Sequence, residues 1–123
     1  MFGLKTEIPR APRIGVPEER FAALGIDFDA SECALIENRV AIDVRLTAIT
    51  NISVGGLKVA LADVSREPKK DDTIVMRIAG RERSWNIKGR VAWIEPLSAG
   101  QWWAGVEFAF SADASCFYRA LTE

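Results

Sequence analysis

The chain has 123 residues, 49% of them hydrophobic and 27% charged, which suits one domain with a core of its own. Sixteen basic and seventeen acidic residues leave a net charge of −1, so no overall field draws the chain to nucleic acid or to an anionic membrane. With no histidine and only two cysteines, Ser-His-Asp and Cys-His nucleophile pairs, His-ligated zinc, imidazole acid–base catalysis and a disulfide framework are all excluded.

Residues 1–25 read as an N-terminal arm, partly flexible. Pro9, Pro12 and Pro17 fall among Arg10, Arg13, Glu18 and Glu19, and proline at that density removes backbone donors and opposes helix and central strand alike. The opening Met-Phe-Gly-Leu-Lys-Thr-Glu lacks the apolar run of a signal peptide, and no segment approaches the roughly 20 apolar residues of a membrane span. The expectation is a cytoplasmic chain with reduced thiols, in which Cys33 and Cys116 serve as small hydrophobes. Residues 18–24 can form a helical turn, ended by Gly25.

Residues 26–123 form the expected domain. Residues 33–37 are a short strand candidate. Val40, Ile42, Val44 and Leu46 then alternate with Ala41, Asp43, Arg45 and Thr47, the pattern of a strand with one buried face. The alternation slips at Ala48-Ile49, where a bulge is expected. Leu57, Val59 and Leu61 resume it. Residues 65–72 make a charged loop, with Lys69-Lys70 and Asp71-Asp72 as solvated turn residues. Residues 73–79 are a strand and residues 80–83 a turn.

Trp85, Ile87, Gly89, Val91 and Trp93 alternate along the next strand, which places Trp85 and Trp93 in the core. Residues 96–100 read as a loop. Trp102, Ala104, Val106, Phe108 and Phe110 share one face of the last strand. Adjacent strand residues face opposite ways, so one of Trp102 and Trp103 points outward unless the pair packs beneath a terminal helix, the preferred reading. Ser111 suits an N-cap and Asp113 the first turn of that helix, whose stripe is Ala114, Phe117, Tyr118 and Leu121. Six to seven antiparallel strands and one C-terminal α-helix predict an all-β class and a small antiparallel β-barrel.

The best candidate for binding chemistry is Asn51-x-Ser53-x-x-Gly56. Asn carries a donor and an acceptor, Ser a hydroxyl, and Gly admits a close approach by a ligand or another backbone. On its own the segment reads as a polar turn. In context it resembles the PilZ domain, a bacterial module for cyclic di-GMP. That family carries an Asp/Asn-x-Ser-x-x-Gly motif between early strands of a six-stranded barrel. Further on, residues 89–93 (Gly-Arg-Val-Ala-Trp) resemble the family's Gly-x-Val-x-Trp strand, and residues 105–108 (Gly-Val-Glu-Phe) its Gly-Val-x-Phe strand. The likeness spans roughly residues 20–121.

The family's other motif, Arg-x-x-x-Arg in the arm, occurs nowhere in this chain. The nearest fit sets Arg20 at the first arginine and Leu24 at the second. Arg10 and Arg13 lie upstream, available if the arm folds back. The resemblance implies that Asn51, Ser53 and Gly56, with Arg20, Arg13 and Arg10, bind cyclic di-GMP as a regulatory ligand. Guanine offers O6 and N7 as paired acceptors to a guanidinium fork.

Two readings follow from the resemblance. In the first, the chain binds cyclic di-GMP, orders its arm over the barrel and relays the signal to a partner protein, with no nucleic acid, membrane insertion, metal or enzymatic activity. In the second, a degenerate PilZ-like domain that does not bind cyclic di-GMP acts as a protein-interaction adaptor. Leu24→Arg is the substitution that separates them. A third reading, a barrel for single-stranded nucleic acid, has the aromatics but an acidic charge balance.

Overall fold

The computed structural model describes residues 14–123. In chain order these form β1 (Ile14–Gly15), α1 (Glu18–Leu24), β2 (Asp27–Glu37), β3 (Val40–Ser53), β4 (Gly56–Ala62), β5 (Thr73–Ala79), β6 (Ser84–Ser98), β7 (Gln101–Phe108) and α2 (Ala112–Thr122). All strand pairings are antiparallel. The sheet runs β1-β3-β2-β5-β6-β7-β4, and β4 returns to pair with β3. Six strands therefore close a ring, with β1 added to one edge of β3, as the alternation pattern predicts.

Short local signals make the turns. Asn38 and Arg39 both hold positive φ, 51° and 66°, between Glu37 and Val40, the backbone that suits a two-residue hairpin between twisted strands. Gly25 ends α1 with φ 66° and donates its N–H to the Ala22 carbonyl. At the other terminus the Ser111 hydroxyl accepts from the Ala114 N–H at 3.0 Å, the expected N-cap. Asp113 takes the Asn86 N–H at 2.8 Å and the Arg83 guanidinium at 3.0 Å, which ties the first turn of α2 to β6.

The barrel interior is made by the alternating apolar residues. Leu35, Ile52, Val59, Leu61, Ile74, Ile78 and Val91 are wholly buried. Helix α2 lays Phe117 against Trp85, ring centroids 5.2 Å apart and tilted by 55°, and so packs on β6.

Strand β3 carries two register slips against β4, between Leu46 and Ala48 and between Ile49 and Asn51, where one bulge was expected. Each slip adds one residue to β3, so the register against β4 shifts by two in all, and the second slip restores the facing that the first reversed. Leu46, Ile49 and Ile52 all point inward, while Arg45, Ala48, Asn51 and Ser53 share the outer face.

Several expectations are corrected. Residues 96–98 continue β6 rather than opening a loop. Pro96 lies beside another slip, between Pro96 and Ser98, where its missing N–H breaks no regular ladder. Phe110 does not share the β7 face: β7 ends at Phe108, the Ala109 N–H bonds to the Lys88 carbonyl, and Phe110 is 99% exposed. Asp72 is no solvated turn residue. It is half-buried and takes both Arg66 terminal nitrogens, at 3.0 and 3.1 Å, together with the Lys69 N–H.

Both cysteines are free thiols. Burial pushes the Cys33 thiol up to about 12, offset in part by a hydrogen bond with the Ala34 backbone. Cys116 is half-buried and accepts from Arg83 Nη1 at 3.3 Å. At pH 8 a thiol reagent is therefore expected to label Cys116 in the folded chain, and Cys33 only after denaturation. Rapid labelling of both thiols in the native state would contradict this. The linked stability has a definite sign: above the ordinary thiol value of 9.0 the unfolded thiol ionises while the folded one stays neutral. The Cys33 contribution is thus intact below pH 9 and falls as pH rises towards 12.

Candidate functional site

Asn51 and Ser53 occupy the end of β3, and Gly56 opens β4. Ser53 pairs with Gly56 across the two-residue turn Val54-Gly55, so the motif is a strand–hairpin–strand unit rather than a loop. The Ser53 hydroxyl accepts the Gly55 N–H at 3.3 Å, and Gly55 hands its carbonyl to the Phe108 N–H at 2.8 Å. Asn51 is half-buried. Its amide oxygen is out of reach of solvent and accepts no hydrogen bond. Leaving such an acceptor unmet costs about 1–3 kcal/mol, and supplying a donor there recovers that cost.

Gly56 has a reason that belongs to the barrel. A Cβ built on it would stand 2.2 Å from the Val106 carbonyl oxygen of β7. The residue is glycine because a neighbouring strand passes close, whatever else binds there.

Outward neighbours follow from register. One row across the sheet reads Gly15, Asn51, Lys58, Gly105 and Trp93. A second reads Ser53, Gly56, Glu107 and Arg90. In the first row, a β-carbon on Gly105 would fall 2.0 Å from Trp93 Nε1, so the Trp93 indole lies against that glycine. Trp93 is therefore half-buried on the outer face and not a core residue, because β6 slips between Val91 and Trp93 and reverses its phase. Trp103 also turns outward, and the Lys58 ammonium stands 4.6 Å from its ring centroid. It does not serve as packing beneath α2.

In the second row Arg90 is paired with two carboxylates. It hydrogen-bonds Glu107 and Asp71, and these bonds, Glu107 first, raise its pKa above the ordinary guanidinium value.

The arm arrives at this face. Ile14 pairs with Ile52 and Gly15 with Asn51, and the Val16 N–H donates to the Thr50 carbonyl at 3.2 Å. Arg10 and Arg13 lie outside the described residues. Arg20 is half-buried in α1. No hydrogen bond or ion pair joins its guanidinium to Asn51, to Ser53 or to any other described residue.

Leu24 packs against the core cluster beside Phe21 and Ile26, and its carbonyl accepts the Arg81 N–H at 2.9 Å. Position 24 is thus spent on seating α1 against the turn between β5 and β6.

Lys58, Trp93 and Trp103 are additions to the site that sequence reading missed. Alternation does place Lys58 outward between Leu57 and Val59, but only cross-strand register puts it opposite Asn51. A cavity of about 710 Å³ lies elsewhere, over β2, β3, β5 and β6, and none of the motif residues lines it. Among the described residues, no helix is long and apolar enough to cross a membrane, and no three acidic or thiol side chains are grouped to hold a metal.

No curated protein matches the chain. A family model for the PilZ domain matches residues 18–117, a span running from the start of α1 to the middle of α2 and containing every strand of the closed ring together with Asn51, Ser53 and Gly56. With most of its length matched, and with the barrel and C-terminal helix in place, the chain belongs to the PilZ domain family.

Proposed function

We propose that this chain is a bacterial signalling module that binds cyclic di-GMP on the outer face around Asn51 and Ser53, closes its N-terminal arm over the ligand, and presents the changed surface to a partner protein. One observation supports this above the others: the arm pairs with the motif itself, Gly15 against Asn51 and Ile14 against Ile52. The residue following Arg13 in sequence is thereby held beside the motif strand, and Arg10 and Arg13 are close to it along the chain. The Asn51 amide and the Ser53 hydroxyl carry donors and acceptors that suit a guanine edge, and the arm guanidinium groups suit phosphate oxygens or the guanine O6/N7 edge. Binding that orders a segment changes the surface a partner meets. The module needs no group that changes protonation, which fits a chain without histidine.

The direct test is calorimetric titration of the full chain with cyclic di-GMP. Binding heat at micromolar ligand is expected. A flat titration from folded protein with its arm intact would overturn the proposal.

The packing of Leu24 favours a second reading, an adaptor of the same fold that does not bind the nucleotide. Position 24 stands where the family's second arginine would, and here it is committed to the core. On that reading the unsubstituted chain gives no heat, and Leu24→Arg creates binding only if the rest of the site is in place. The variant also loses about 1–2 kcal/mol of stability, since a partly buried apolar contact is exchanged for a charge. Micromolar binding by the unsubstituted chain would sink the adaptor reading.

A further inference from the structure

Four cationic side chains are half-buried among the described residues: Arg20, Lys58, Arg66 and Arg77. Arg66 is paired with Asp72 and Glu37, and Arg77 with Glu32. Arg20 and Lys58 have no carboxylate partner among those residues. Of these two, only Lys58 is built into the face that carries the motif. It stands directly opposite Asn51 on the β3–β4 ladder, and Gly105 is its neighbour on the other side. Its ammonium lies 4.6 Å from the Trp103 centroid and 5.8 Å from that of Trp93.

This arrangement has a chemical consequence. An aromatic face attracts an ammonium through its quadrupole and holds the lysine stem, yet accepts little of the donor capacity of the three N–H groups. Partial burial raises the strength of any ion contact the ammonium makes, because less water screens it. Directly opposed residues of an antiparallel pair have β-carbons about 4.5–5.5 Å apart. One ligand can therefore meet the Asn51 amide and the Lys58 ammonium together.

We propose that Lys58 is the phosphate-binding cation of this site, supplied by the barrel where the arm carries Leu24. Its ammonium donates to a phosphodiester oxygen of the ligand while Asn51 and Ser53 read the attached base. The inference rests on the cyclic di-GMP reading of the same face.

The experiment is calorimetric titration with cyclic di-GMP of the full chain, of Lys58→Met and of Lys58→Arg, each over a salt series. Lys58→Met is expected to bind about ten- to one-hundred-fold more weakly, the range for loss of a charge-assisted hydrogen bond. It should also show a shallower salt dependence, because one phosphate contact fewer is made. Lys58→Arg should keep most of the affinity and the original slope. A merely structural role for Lys58 would not move the salt slope. If Lys58→Met melts early, Lys58→Gln replaces it, with the same expectation.

Binding by the unsubstituted chain that Lys58→Met or Lys58→Gln leaves unchanged in affinity and slope overturns the assignment and leaves the cyclic di-GMP reading standing. Absence of binding by the unsubstituted chain overturns both.

Discussion

Phe117→Ala is expected to lower the unfolding free energy by about 3–5 kcal/mol, the largest effect of any single substitution considered. Phe117 has no exposed surface, and it meets the Trp85 ring at 5.2 Å. Six strands closed in a ring leave two open ends, and α2 supplies Phe117, Ala114 and Leu121 as buried residues joined to the barrel core. Truncation to alanine removes the aromatic contact and leaves a void that the fixed strands cannot collapse to fill. Helix α2 itself should persist, because its Ser111 cap and the Asp113 bonds to Arg83 and to the Asn86 N–H do not involve the ring. Chemical denaturation should show a lower midpoint with an unchanged slope. A loss below about 1 kcal/mol would mean that the helix adds little to the barrel core.

Gly56→Ala is the second large effect, and its interest lies in the contrast with Gly55→Ala one residue earlier. A Cβ at position 56 would stand 2.2 Å from the Val106 carbonyl oxygen and 3.2 Å from its carbon, both backbone atoms. No rotamer relieves that clash, so β4 and β7 must move apart at the seam where β4 closes the ring. A cost of about 1–3 kcal/mol follows, as for other forced overpacking. On the proposed function, cyclic di-GMP binding falls with it, since Ser53 is held by its pairing with Gly56. At position 55 nothing lies within 4 Å of a built Cβ, and Gly55 has no positive φ. Gly55→Ala should therefore be neutral or slightly stabilising, through a less flexible unfolded chain. Parallel thermal melts of the two variants check this, and equal stability would remove the close-approach explanation of Gly56.

The elements were legible wherever a local rule was strong. Alternation placed Val44, Leu46, Val59 and Leu61 inward, Ser111 announced the start of α2, and Gly25 announced the end of α1. The misreadings occur where a strand slips. Trp93 continues the apolar alternation of Trp85, Ile87 and Val91 on paper, but a slip after Val91 turns it to the outer face. Pro96 reads as a breaker, yet β6 runs past it because the ladder is already irregular there. Phe110 keeps the parity of Phe108, but β7 has ended and the chain is turning into the helix cap.

The candidate site divides in the same way. Asn51, Ser53 and Gly56 stand out as a linear motif, since residues two apart on a strand share a face whatever the rest of the chain does. The partnership of Asn51 with Lys58, the indole of Trp93 on Gly105, the spending of Leu24 on the core and the true reason for Gly56 had no linear signature. Each is a contact between elements distant in sequence.

By itself the sequence determined the class of the protein: an all-β chain with a terminal helix, no histidine chemistry, a polar motif at a hairpin and a family likeness carried by residues in order. Tertiary structure alone decided which outward residues are neighbours. The physical reason is that side-chain direction is a local property of the backbone, whereas register is set by closure of the six-stranded ring and by two slips in β3 that together shift it by two residues. That closure sets Lys58 opposite Asn51 and brings Gly15 of the arm to the same row.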